Sequence, residues 1–155
     1  MIVFRSATEA DATRLAATLR QQDSDECYAA FGKPEIALPY SVGVSTQAIC
    51  VSLDGEPLAI FGWLAEGLSA RVWMLGSSTL TDDGRTYEFL AASREWVGRL
   101  NDAFPLLWNI IDSRNTAHIR WLRWLGFTFI NKEPAGPLGL PFYTFVRIKQ
   151  SCVSP

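Results

Sequence analysis

The sequence predicts a single α/β domain in which a mixed sheet carries helices on both faces, and three observations point there. Two β-rich runs, Ala48 to Leu53 and Pro57 to Leu64, flank Asp54-Gly55-Glu56; Asp-Gly between apolar strands signals a hairpin. Leu106 to Ile111 is an almost unbroken apolar run, as expected of a strand covered on both sides. Helical patterns precede and follow that run, so a strand-helix-strand crossover is expected to complete the sheet.

The elements follow in order. Ile2 to Arg5 reads as a short first strand, and Thr8 as an N-cap with Asp11 completing an acidic capping box. The helix it opens places Ala12, Leu15, Ala16 and Leu19 on one face. Asp23 to Phe31 reads as a second short helix, ended by Gly32 and Pro34. After the hairpin and the loop around Gly67-Leu68-Ser69, Arg71 to Leu75 adds a third strand to an antiparallel meander. Arg85 to Ala103 is helical, with Phe89, Val97, Leu100 and Phe104 near one face, and Pro105 stops it. Ser113 or Asn115 can cap the next helix, which runs to Leu125 with Gly126 as its stop. Phe127 to Ile130 and Phe142 to Ile148 are the last strands, joined by a Gly/Pro-rich loop from Glu133 to Pro141. The expected order is β-α-α-β-β-β-α-β-α-β-β over residues 1–149, with 150–155 as a C-terminal tail.

Composition narrows the function. The 155 residues are 48% hydrophobic and 19% charged, enough apolar material for one packed core. No apolar run approaches the roughly 18 residues of a membrane span, and the first residues meet Glu9 and Asp11 too early for a secretory signal. A net charge of -2 argues against nucleic acid as partner. Cys27, Cys50 and Cys152 form no C-x-x-C pair and read as free thiols in a reducing compartment. With His118 as the sole histidine, no zinc site is expected. His118 lies inside a helical pattern and reads as a surface or supporting residue rather than a nucleophile's base.

The most specific segment is Leu107-Trp108-Asn109-Ile110-Ile111-Asp112, followed by Asn115-Thr116-Ala117-His118-Ile119 and Leu125-Gly126-Phe127. It resembles a motif of the GNAT (Gcn5-related N-acetyltransferase) superfamily, with Asn115, Ile119, Gly126 and Phe127 at the matching positions. That resemblance implies a splayed gap between two neighbouring strands, where the superfamily holds the pantetheine arm of acetyl-CoA. Crevices at strand ends and helix N-termini suit such a ligand physically. The implied cofactor-binding residues are Gly76, Ser77, Ser78, Gly84, Arg85 and Asn115, although a plain helix cap is an equal reading of Asn115.

The catalytic part of the pattern is altered. The superfamily's Arg/Gln-x-x-Gly-x-Gly/Ala loop is replaced by Asp82-Asp83-Gly84-Arg85-Thr86-Tyr87, which sets two carboxylates where phosphates would arrive. The tyrosine that serves many members as general acid corresponds to Leu122, which cannot protonate a thiolate. Tyr87 and Asp112 are the remaining catalytic candidates; Glu66 and Glu95 are weaker still. The stretch from Leu107 to Phe129, with Trp73-Met74-Leu75-Gly76 and Phe142 to Val146, also resembles a family of tailed-bacteriophage proteins with a GNAT-like fold, described as internal virion or virion-assembly proteins.

The expected function is therefore a phage virion or assembly protein acting by protein binding, in the host cytoplasm and in the particle, with other phage structural proteins as partners and a homo-oligomer left open. The alternative is an acetyl-CoA-dependent N-acetyltransferase. Arg120, Trp121, Arg123 and Trp124 are the candidate partner-binding residues, since Trp and Arg are frequent interface anchors. For the tryptophans the competing reading is core packing, and for Arg114, Arg120 and Arg123 a solvated face.

Overall fold

A computed structural model describes residues 2–80 and 85–150. The chain runs β1 (Ile2–Ser6), α1 (Glu9–Ala16), α2 (Gln21–Ala30), α3 (Pro34–Val44), β2 (Gln47–Leu53), β3 (Glu56–Glu66), β4 (Ser69–Gly76), α4 (Arg85–Ala103), β5 (Leu106–Asp112), α5 (Thr116–Trp124), β6 (Thr128–Ala135) and β7 (Leu140–Ile148). The strands form one mixed sheet in the order β1-β2-β3-β4-β5-β7-β6. Every adjacent pair is antiparallel except β4 with β5.

Local chemistry explains most boundaries. The Thr8 side chain accepts from the Asp11 amide while the Asp11 carboxylate accepts from the Thr8 amide, the reciprocal box that starts α1. Asp54 and Gly55 both have positive φ, 51° and 82°, as a two-residue turn matched to the twist of β2 and β3 requires. On one face of the sheet, Ala12, Leu15 and Leu38 from α1 and α3 pack on Ala48, Cys50 and Ile60. On the other, Trp96, Val97 and Leu100 of α4, Ile119 and Leu122 of α5, and Leu125 just after it pack over Trp63, Leu107 and Phe145. Helices on both faces are thus borne out.

Two segments depart from the sequence reading. A third helix, α3, occupies 34–44, where Pro34 was expected only to end the helix before it. Pro34 sits in the first turn of α3, where its missing N–H costs nothing, and Pro39 lies inside the same helix, which hides the helical pattern. The β6–β7 hairpin also extends much closer to its turn than expected, with Ala135 opposite Leu140 and Pro134 opposite Pro141. β6 is an edge strand, where proline is tolerated, and its exposed residues have no apolar alternation to betray it.

The functional consequence of the topology lies between β4 and β5. Their parallel pairing covers only Ser69, Ala70 and Arg71 against Leu106, Leu107 and Trp108. Beyond that point the strands diverge. The side-chain amide of Asn109 donates to the Val72 carbonyl at 2.8 Å, a last rung made by a side chain instead of the main chain.

Candidate functional site

The diverging strands open a largely apolar cavity of about 440 Å³, walled by Phe61, Trp63, Trp73, Trp96, Ile110 and Trp121 among others. At the ends of the two strands stand polar side chains from α2, of which Glu26 lines the cavity. Asp23, fully buried, reaches the end of β4, where one carboxylate oxygen accepts from the Gly76 amide at 2.8 Å. Its other oxygen accepts from the Asn115 side chain at 2.9 Å and from Arg20 at 2.9 Å. Glu26, one helical turn on, accepts from the Asp112 amide at the end of β5 at 3.0 Å and from the same Asn115 side chain at 3.4 Å. Two carboxyl groups of one helix thus hold one main-chain amide from each diverging strand, with Asn115 between them. This brace is the main feature that the sequence reading missed. Its only local signal is the i, i+3 spacing of Asp23 and Glu26, which puts both on one face of α2.

The electrostatics follow from burial. Loss of water pushes the Glu26 carboxyl up to about 8, and the neighbouring Asp23 charge adds to the effect. Glu26 is therefore uncharged at neutral pH, and its carbonyl oxygen still accepts both bonds. His118 is buried rather than on the surface, and desolvation pulls its pKa down to about 4, so the ring is neutral. Its Nδ1 and the Trp121 indole nitrogen are buried at the cavity wall without a hydrogen-bond partner. Burial works against the charge of Asp112, but the hydrogen bonds from Arg114 outweigh it and hold the carboxyl below its usual range. Burial raises the Cys27 and Cys50 thiols to about 11, and both are free.

These shifts predict a pH dependence. Between about 4 and 6.5 the unfolded chain binds more protons at His118 than the folded one, so stability rises with pH there. Glu26 acts oppositely: between about 4.5 and 8 the folded protein holds the extra proton, so stability falls as pH rises. The two slopes oppose each other up to about 6.5, and above it only the Glu26 slope remains. Urea denaturation across pH 6.5 to 8 is expected to show a decline in the native protein that Glu26→Gln flattens; an unchanged slope in the variant would refute the assignment.

The structure distributes the sequence candidates unevenly. Main-chain groups of the Gly76–Ser78 segment are already engaged: the Gly76 carbonyl accepts from Arg20, the Ser77 amide donates to Leu58 and the Ser78 amide donates to Thr18. Asn115 precedes α5 as its cap residue, but its side chain makes no capping bond and is turned into the brace instead. Asp112 points its carboxylate at Arg114, with the closest contact 2.7 Å. Tyr87 is exposed on the first turn of α4 and borders a shallow groove with Arg94 and Trp124. Glu66 pairs with Arg71, and Glu95 with Arg99, in exposed ion pairs. Asp82, Asp83, Gly84, the Arg85 side chain and Cys152 lie outside the described residues.

The aromatic pair on α5 separates. Trp121 turns inward, stacked on Phe89 with ring centroids 5.9 Å apart and 5.1 Å from His118. Trp124 is exposed, with the Arg94 guanidinium 3.7 Å from its ring centroid. Arg123 lies over Phe129, and Arg120 is exposed. Leu122, at the position of the missing general acid, is buried in the core between sheet and helix. Among the described residues no group of His, Cys, Asp and Glu is arranged to hold a metal ion, and no helix is long and apolar enough to cross a membrane.

A family model described as "Bacteriophage T7, probable scaffold protein Gp13" matches residues 47–133, from β2 into β6 and more than half of the chain. The chain belongs to this phage scaffold family. No curated protein matches it. Its fold is that of the GNAT acetyltransferases. An acetyltransferase of the GNAT family from Streptococcus pneumoniae superposes with a TM-score of 0.62 at 16% identity, covering 96% of this chain and 99% of that one. The ribosomal L7/L12 α-N-protein acetyltransferase RimL, in complex with coenzyme A, gives 0.67 at 12% identity, covering 95% and 93%. The aminoglycoside acetyltransferase AAC(6')-Ib, in complex with coenzyme A and kanamycin, gives 0.63 at 16% identity, covering 96% and 95%. The scaffold-family member therefore shares its architecture with acetyltransferases at identities that carry fold alone.

Proposed function

We propose that this chain is a virion-assembly protein of the phage scaffold family that works by binding other phage structural proteins in the host cytoplasm, and that it has no efficient acetyl transfer. The observation that carries this reading is that the main-chain amides at the ends of the two diverging strands are already bonded within the chain. An extended ligand entering between diverging strands needs free main-chain amides along them, and here Asp23 holds that of Gly76 while Glu26 holds that of Asp112. Displacing them would leave buried carboxyl groups unpaired, at a cost of about 1–3 kcal/mol or more for each group. The buried leucine at position 122 supplies no proton to a departing thiolate. Family membership supports the assembly role.

Isothermal titration of the full chain with acetyl-CoA tests the proposal. No binding tighter than about 100 μM is expected, corresponding to no more than about 5.5 kcal/mol, and no free thiol should form with amine acceptors present. Tighter binding accompanied by thiol release would establish the acetyltransferase reading instead.

A further inference from the structure

Helix α3 carries an exposed apolar ridge, of which Tyr40 and Val44, with Phe31 before the helix, also border the rim of the cavity between β4 and β5. Leu38 faces inward and is fully buried, whereas Ile36, Tyr40 and Val44 are 68%, 69% and 46% exposed. The three recur every fourth residue, so they form a continuous ridge along one side of the helix. Phe31, 77% exposed, continues the apolar surface at the turn before α3. Glu35 is the one charged residue within the eleven of α3. Exposed large apolar side chains grouped in this way mark an association surface rather than ordinary solvent-facing positions.

We propose that this ridge is the contact between two copies of the chain, packed antiparallel about a two-fold axis through Tyr40. The ridge is symmetric about Tyr40: under such an axis Ile36 of one copy meets Val44 of the other, and the two Tyr40 rings meet each other. A two-fold contact must be self-complementary in this sense. The charges agree with the same arrangement. Lys33 stands exposed at the N-terminal end of α3, and the exposed Glu9 carboxylate stands beside its C-terminal end, 3.6 Å from where a side chain on Gly43 would begin. Antiparallel packing carries the Lys33 of one copy to within about 6 Å, along the helix, of the Gly43 of the other, at 1.5 Å rise per residue. Antiparallel packing thus brings the Lys33 of each copy to the end of the partner helix where Glu9 stands, setting opposite charges near each other twice. Glu35 falls opposite the uncharged Ser45. Parallel packing would instead set Lys33 against Lys33 and Glu9 against Glu9.

Sedimentation velocity over about 5–200 μM is expected to show a monomer–dimer equilibrium, in the range of a small transient interface. Ile36→Glu should raise the dissociation constant at least about 10-fold with unchanged melting temperature. Lys33→Glu should weaken the dimer, and adding Glu9→Lys in the same chain should restore it. In a Cys152→Ser background, Tyr40→Cys should form a disulfide-linked dimer under mild oxidation, because position 40 lies on the axis. Arg99→Cys, exposed on α4 on the opposite face of the sheet, should not. A monomer throughout the concentration range overturns the proposal. So does a dimer in which Tyr40→Cys cross-links no faster than Arg99→Cys, or in which the charge exchange brings no recovery.

Discussion

Replacing Asp23 with alanine is expected to destabilise the protein by about 3–5 kcal/mol, the usual cost of removing one member of a buried charged pair. The Asp23 side chain is fully buried and accepts from Arg20, Gly76 and Asn115. Alanine leaves a buried main-chain amide, a side-chain amide and part of a guanidinium without the acceptor that Asp23 supplies. Asp23→Asn preserves the shape and one acceptor oxygen, and should lose less. Urea denaturation at constant m-value separates these outcomes. A loss below about 1 kcal/mol for alanine would show that the brace contributes no more than an ordinary hydrogen bond.

Trp121→Ser is expected to cost about 3–5 kcal/mol, as for truncation of a large ring in a packed interior, lowering the melting temperature by roughly 6–20 °C for a domain of this size. The ring stacks on Phe89 and packs against both apolar clusters on its side of the sheet. Trp124→Ser should cost below about 1 kcal/mol, since its main partner is an exposed guanidinium. If the α5 surface binds another phage protein, the Trp124 variant loses that binding with its fold intact. Equal losses of stability in the two variants would contradict the inward and outward placement of the rings.

What the sequence disclosed of the fold came from short-range chemistry. Thr8 with Asp11, Asp54-Gly55 and the Gly126 stop each encode a local backbone decision, and each was found where expected. The crossover into a parallel pair was legible from the apolar character of β5 between two helical patterns. Helix α3 was hidden because Pro34, Pro39 and Gly43 carry the signals of a loop, while the packing of Leu38 on α1 and the sheet decides the matter. The strand character of Asn131 to Ala135 was hidden because an edge strand facing water on most sides needs no alternation.

The site was legible only in outline. The divergence of β4 and β5 was foreseen through the resemblance to the acetyltransferase superfamily, and Asn115 was singled out. The group that binds it could not be, because Asp23 and Asn115 lie 92 positions apart and Glu26 and Asp112 lie 86 apart. No local pattern announces such partners. The surface half of the His118 reading failed for a related reason: neutral imidazole is tolerated in an apolar interior, and a helical pattern alone does not tell which of its sides the sheet will cover.

The Asn109 rung has a consequence for the shape of the whole molecule. Its amide fastens β5 to the first carbonyl of β4 that lies past the shared ladder, so the fork has a fixed crotch, and the depth of the hollow is set there by one side chain. With α2 bonded to the two tips and Asn109 to the base, the forked pair is held by side chains at both ends, and spreading its prongs would break those bonds.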